Sequence, residues 1–189
     1  MKDLITSALM ILVMTIALGV LYPLAVWGVG QVIFPHQANG SLIEKDGKII
    51  GSELIGQTFT SAGYFHSRPS AAGNGYDDGA SSGSNLSPTS EKLITRVKTD
   101  AEILQAENPN LSIPADLVTT SASGLDPHIS PAAAEFQIRR VAKERNINES
   151  DLRQIVARFT KSRQFGVFGE PRVNVLLLNL EIDKQFPKK

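Results

Sequence analysis

Leu4 to Phe34 reads LITSALMILVMTIALGVLYPLAVWGVGQVIF, a run of 31 consecutive residues without a formal charge. Crossing the hydrocarbon core of a bilayer takes roughly 20 apolar residues in a helix, so this run reads as a transmembrane helix together with its membrane exit. A secretory signal peptide is the competing reading, with Ala17-Leu18-Gly19 supplying the small residues of a cleavage site. Two things weigh against it. A signal core runs only ~7 to 15 residues, and cleavage there leaves the apolar stretch from Val20 to Trp27 as a new N-terminus. Tyr22 and Trp27 mark one interface, where amphipathic rings settle. Pro23 removes a backbone donor and is expected to kink the helix near that end. Thr15 and Gly19 form a small-xxx-small pair through which a neighbouring helix can approach.

Orientation follows from the flanking charges, because basic residues stay in the cytoplasm. Lys2 and the terminal amine lie on one side, and the first Lys on the other is Lys45. The expected organisation is a cytoplasmic tail over residues 1–3, the span and its exit over 4–34, and an extracytoplasmic soluble domain over 35–189.

The whole chain of 189 residues has 19 Lys+Arg, 19 Asp+Glu and no cysteine. Neither a disulfide framework nor a thiolate metal site can form. A balanced charge excludes a general nucleic-acid binder, which needs a basic surplus to compete for phosphates. The balance is uneven along the chain. Residues 35–130 hold 6 basic and 11 acidic side chains, and residues 131–189 hold 12 and 7. The basic cluster from Arg139 to Arg163 is compatible with a phosphate or lipid headgroup partner, or is simply a solvated helix face.

Outward from the span, Leu42-Ile43-Glu44 and Ile49-Ile50 flank Asp46-Gly47, a pair that supplies the positive φ of a tight hairpin turn. Gly63 to Ser90 holds 7 Ser and 5 Gly in 28 residues. Tyr64, Phe65, His66, Arg68 and Tyr76 are interspersed in it, which a flexible linker would not carry, so an ordered functional loop is expected. Ser87-Pro88 starts a helix with Leu93, Ile94, Val97, Ala101 and Leu104 on one face. Ser130-Pro131 starts a second with Ala134, Ile138 and Val141, and Asn148 a third with Leu152, Ile155, Val156 and Phe159. Val173 to Leu180, bounded by Pro171, reads as a buried strand. The fold class expected is one N-terminal transmembrane helix followed by a mixed α+β extracytoplasmic domain.

Familiar catalytic signatures are missing. The sequence has no phosphate-binding loop, no dinucleotide fingerprint, no His-Glu-x-x-His and no Gly-x-Ser-x-Gly. His36, His66 and His128 lie far apart, and none has a helical i,i+4 metal-binding partner. Asp126-Pro127-His128 with Ser121, Ser123 and Ser130 contains the residue types of a nucleophilic triad, which is recognised by geometry alone. The alternatives are a membrane-anchored extracytoplasmic enzyme using Asp126 and His128, or a Pro-bounded turn capped by Asp and Ser.

Tyr22-Pro23-Leu24, Ala38-Asn39-Gly40-Ser41-Leu42, the heptapeptide from Gly51 to Gln57, Tyr64-Phe65-His66-Ser67-Arg68-Pro69-Ser70-Ala71, Ser84-Asn85-Leu86, the stretch from Ser123 to Pro131, and Pro171-Arg172-Val173-Asn174-Val175-Leu176 occur in that order. Together they resemble the C subunit of the Kdp potassium-transporting ATPase over nearly the whole chain. Ser82 and Ser87 depart from the expected glycines. The resemblance implies a bacterial plasma (inner) membrane complex with three partners: a channel-like potassium-binding subunit, a P-type ATPase subunit and a small stabilising subunit. It implies an accessory subunit in potassium transport, without the Asp-Lys-Thr-Gly phosphorylation motif, described as a catalytic chaperone that raises the ATP affinity of the ATPase subunit. ATP is thus the one family-level cofactor. Ser121-Ala122-Ser123-Gly124 is similar to an ABC-transporter serine-glycine signature, while the charge bias puts the domain on the side without ATP. No cofactor, metal or catalytic residue is assigned. Gly19, Tyr64, Phe65, Arg68, Ser84, Asn85, Asp126 and His128 are candidate partner-contact or structural residues. Tyr64, Phe65 and Arg68 either face the channel-like subunit or fasten the loop to its own domain.

Overall fold

A computed structural model describes residues 1–187. The chain divides into two compact units, Met1–Ser52 and the remainder from Glu53.

The first unit opens with α1 (Lys2–Ile16), a π-helical turn (Ala17–Leu21) and α2 (Tyr22–Ile33), which run on as one helical segment of 32 residues. At 1.5 Å per residue it measures about 48 Å, more than a bilayer core requires. No side chain of α1 or α2 is buried. So long an apolar surface is incompatible with water, and lipid is the solvent that suits it. Pro23 has no N–H for the usual i−4 bond, and the strain is taken up in the turn before it, where Tyr22 N–H donates to Ala17 O five residues back. A short helical turn, α3 (Pro35–Ala38), leads into the hairpin of β1 (Leu42–Lys45) and β2 (Lys48–Ser52). Asp46 and Gly47 take φ +53° and +72° between the paired Lys45 and Lys48, as a two-residue loop of this hand demands.

The second unit contains α4 (Glu91–Glu107), α5 (Pro131–Arg145), α6 (Glu149–Phe159) and α7 (Val175–Gln185). Beside them lies an antiparallel sheet of three very short strands, β3 (His128–Ile129), β4 (Thr160–Lys161) and β5 (Arg172–Asn174), in the order β3-β5-β4. The core gathers Phe65, Ile129, Phe136, Ile138, Val141, Leu152, Ile155, Val173, Leu178 and Ile182. At the expected Ser130-Pro131 start, Ser130 Oγ accepts from Ala133 N at 3.0 Å.

Two elements differ from the sequence expectation. The run from Val173 to Leu180 is a strand only as far as Asn174 and a helix from Val175. Asn174 Oδ1 accepts from Leu177 N at 3.1 Å and caps the helix. Val175, Leu178, Asn179 and Ile182 fall on its buried face, the 3.6-residue period of a helix. The helix expected from Ser87-Pro88 begins at Glu91 instead. Ser87 closes a turn, accepting from Ser90 N through its carbonyl and from Thr89 N through its hydroxyl, so Ser90 becomes the residue before the helix.

Candidate functional site

The segment between Glu53 and Ser90 has no long strand or helix, yet its middle is held as if it were a strand. Phe65 N–H donates to Asn179 Oδ1 at 2.9 Å, and Asn179 Nδ2 donates back to Phe65 O at 2.9 Å. One residue on, His66 N–H donates to Gln137 Oε1 at 2.8 Å and Gln137 Nε2 returns a bond to His66 O at 3.1 Å. Both amides are 1% exposed. They satisfy backbone groups that burial would otherwise leave unpaired. The Phe65 ring is fully buried in the core.

Two arginines anchor the preceding residues. Arg140 donates to Ala62 O at 2.5 Å, Tyr64 O at 2.9 Å and Glu107 Oε1 at 2.8 Å. Arg145, whose side chain is 2% exposed, pairs with Asp183 at 2.7 Å, donates to Gly63 O, and lies over the Tyr64 ring at 4.6 Å. Tyr64 OH donates to Asp183 Oδ2 at 2.9 Å. Burial first, and then Asp183, push the Tyr64 phenol above its ordinary pKa. Burial, reinforced by Arg140, pushes the His66 imidazole below its own.

Further along, Arg68 Nη1 meets Asp126 Oδ2 at 3.2 Å, and the same guanidinium donates to Thr119 O and Thr120 O at 3.3 Å. Asp126 Oδ1 accepts from His128 N at 3.0 Å and lies 3.3 Å from His128 Nδ1. Burial by itself would raise the Asp126 carboxyl; the His128 side chain and backbone, with Arg68, outweigh it and hold the group below its usual value. Tyr76 OH donates to Arg68 O at 2.9 Å, and Ser70 Oγ to Gly124 O at 2.6 Å. Gly124 sits at φ +69°, where an added Cβ would meet Ser82 O at 2.5 Å and Ala72 N at 2.8 Å. Only glycine fits this crossing of two loops.

The structure thus brings Arg68, Asp126 and His128 together. It places Tyr64 and Phe65 on the α5–α7 side of the same segment and gives each intrachain partners. Ser84 is half-buried and Asn85 exposed at φ +49°, both on the outer part of the loop. Gly19 lies in the π turn of the first unit. The imidazole of His128 is oriented by a carboxylate, one part of a triad. Ser130, however, donates to Asp116 Oδ1 and caps α5, and Ser123 Oγ accepts from Leu125 N. Among the described residues no group of three or more His, Asp or Glu is arranged to hold a metal ion. A cleft of about 260 Å³ between α4 and the segment has His66, Arg68, Leu104, Leu117, Gln137 and Arg140 in its walls.

Asn179 and Gln137 do not appear among the sequence candidates, and Arg140 and Arg145 appear there only as members of the basic cluster from Arg139 to Arg163. Two of them had a legible signal: Gln137 sits between Phe136 and Ile138 on an apolar face, and Asn179 interrupts a leucine run. A polar residue on a buried face must have a partner.

Residues 4–184 match the family described as K+-transporting ATPase, c chain. A potassium-transporting ATPase KdpC subunit of Koribacter versatilis is 58% identical over 186 residues, covering 98% of this chain and 96% of the relative. Subunits of the same name from Caulobacter vibrioides and Bradyrhizobium diazoefficiens are 58% identical over 92% of this chain and 88% of the relative, and 50% identical over 100% of both. A match of this extent takes in the apolar helix, the amide-held segment and the Arg68–Asp126–His128 cluster alike, and the chain belongs to the KdpC family of potassium-transporting ATPase subunits.

Proposed function

We propose that the chain is a single-span, noncatalytic accessory subunit that assembles and tunes an ATP-driven potassium pump in a bacterial plasma membrane. The N-terminus is cytoplasmic and the soluble domain extracytoplasmic, as the asymmetry between Lys2 and the distant Lys45 favours. The helix packs against partner spans, and the soluble domain docks on the channel-like potassium-binding subunit. The chain raises the ATP affinity of the P-type ATPase subunit without holding the nucleotide. The observation that carries this reading is family membership over residues 4–184.

The use made of the polar groups supports it. Ser123 O of the serine-glycine stretch accepts from Ser82 N at 2.9 Å and Ser81 Oγ at 3.0 Å, and Gly124 O accepts from Ser70. These bonds make the serine-glycine stretch a structural turn fastened to the Ser70–Ser82 loop. The test is to purify the pump with and without this chain. Its omission should dissociate the remaining subunits or raise the ATP concentration needed for half-maximal potassium-stimulated hydrolysis. Purified chain that brings down no membrane partner, and that hydrolyses an ester or peptide alone with loss on His128→Ala, overturns the proposal.

A further inference from the structure

Between β4 and β5 the second unit extends a finger of ten successive exposed residues, Lys161 to Glu170, of sequence KSRQFGVFGE. Its tip offers Phe165 at 92%, Val167 at 69% and Phe168 at 65% exposure. Phe165 holds φ +52°, left-handed backbone that a bulky residue adopts only where its surroundings impose it. The imposition is local. Gln164 and Phe168 exchange backbone hydrogen bonds at 2.8 and 2.9 Å, and Arg163 pairs with Glu170 at 2.6 Å across the neck. The rings are therefore presented by a closed turn.

The base of the finger is cationic. Lys161 and Arg172 are direct partners in the β4–β5 register, and like charges placed opposite one another are unfavourable unless an anion joins them. From Arg158 to Arg172 there are four basic residues and one acid, Glu170, which is already paired. An apolar tip above a basic collar matches an anionic bilayer surface, where rings settle at the acyl boundary and cations reach the phosphates. The chain also carries its own apolar helix of 32 residues, so such a surface is available at the high effective concentration of a tethered partner.

We propose that the Phe165–Phe168 tip inserts into the headgroup region of an anionic lipid bilayer, with Lys161 and Arg172 on the lipid phosphates. The cysteine-free chain permits a direct test on the full-length protein. Val167→Cys keeps both rings and takes an environment-sensitive fluorophore. The labelled protein is reconstituted in phosphatidylcholine vesicles with or without phosphatidylglycerol, each doped with lipid bearing a nitroxide on its acyl chain. With phosphatidylglycerol the emission should shift to the blue and be quenched, and Lys161→Gln, which removes one charge, should lower the inserted-to-free ratio about fivefold. Emission that stays unshifted and unquenched in both mixtures overturns the proposal. So does quenching equal in the two mixtures, or shielding that arises only when the other pump subunits are added, which would mean a protein socket. The melting temperature of the Val167→Cys protein should equal that of the parent, as expected of an exposed tip, and that of Lys161→Gln should not fall below it.

Discussion

Asn179 acts as a strand partner for Phe65, its one side chain accepting the N–H and donating to the C=O of the same residue, both at 2.9 Å. Gln137 does the same for His66. Two amides on two helices thus replace the neighbouring strand that this segment lacks, and leave the Phe65 ring to fill the core.

Asn179→Leu keeps the approximate volume but strands two buried backbone groups, at about 1 to 3 kcal/mol each. Thermal unfolding of the purified chain should show a melting temperature lower by several degrees. Phe65→Ala empties a fully buried position and should cost about 3 to 5 kcal/mol. An unchanged midpoint in either variant contradicts the structural role assigned here.

Stability should fall on acidification in two stages. His66 is held below its ordinary pKa by burial and then Arg140, so the unfolded chain takes up its proton first, and stability is lost as the pH falls through the ordinary imidazole value towards the lower folded one. Asp126 is also depressed, against its burial, by His128 and Arg68. Its contribution is present above the ordinary carboxylate value and is lost as pH falls through the folded one. His66→Gln should flatten the first stage and Asp126→Asn the second, read from denaturant midpoints across pH.

A single cysteine at the exposed Ser87 should react with an impermeant maleimide in intact cells if the soluble domain lies outside. Labelling seen only after lysis would reverse the orientation and restore direct contact with cytoplasmic ATP.

Gly19 offers a clean probe of helix packing. A Cβ there would meet only Thr15 Cγ2 at 3.8 Å, an ordinary contact, so the helix itself accommodates a larger residue. Gly19→Leu should nonetheless lower recovery of the assembled pump more than Leu12→Phe does, because spans associate through close approach at small residues. Equal recovery would reduce the span to an anchor.

Local chemistry made much of the fold legible. Thirty-one uncharged residues can be solvated only by lipid or a core, Asp46-Gly47 supplies its own turn geometry, and Ser130 reaches its cap bond within one turn of helix. The run from Val173 to Leu180 was ambiguous because a short apolar segment suits a buried strand and a buried helix equally. The Asn174 cap and the spacing of Val175, Leu178 and Ile182 decide for the helix.

Motif resemblance, too, points to the family, and it offers Gly19, Tyr64, Phe65, Arg68, Ser84, Asn85, Asp126 and His128 as candidates without saying what each one meets. The partner of each depends on tertiary closure. Asn179 reaches Phe65 across 114 positions, Gln137 reaches His66 across 71 and Arg68 reaches Asp126 across 58. No periodicity spans such distances, since a side chain's partner is chosen by where the backbone returns after every helix has packed. The sequence by itself determined the membrane helix, the turns and the family; only the tertiary structure decided which buried polar groups answer one another, because each hydrogen bond is set by the joint position of two segments that share no local code.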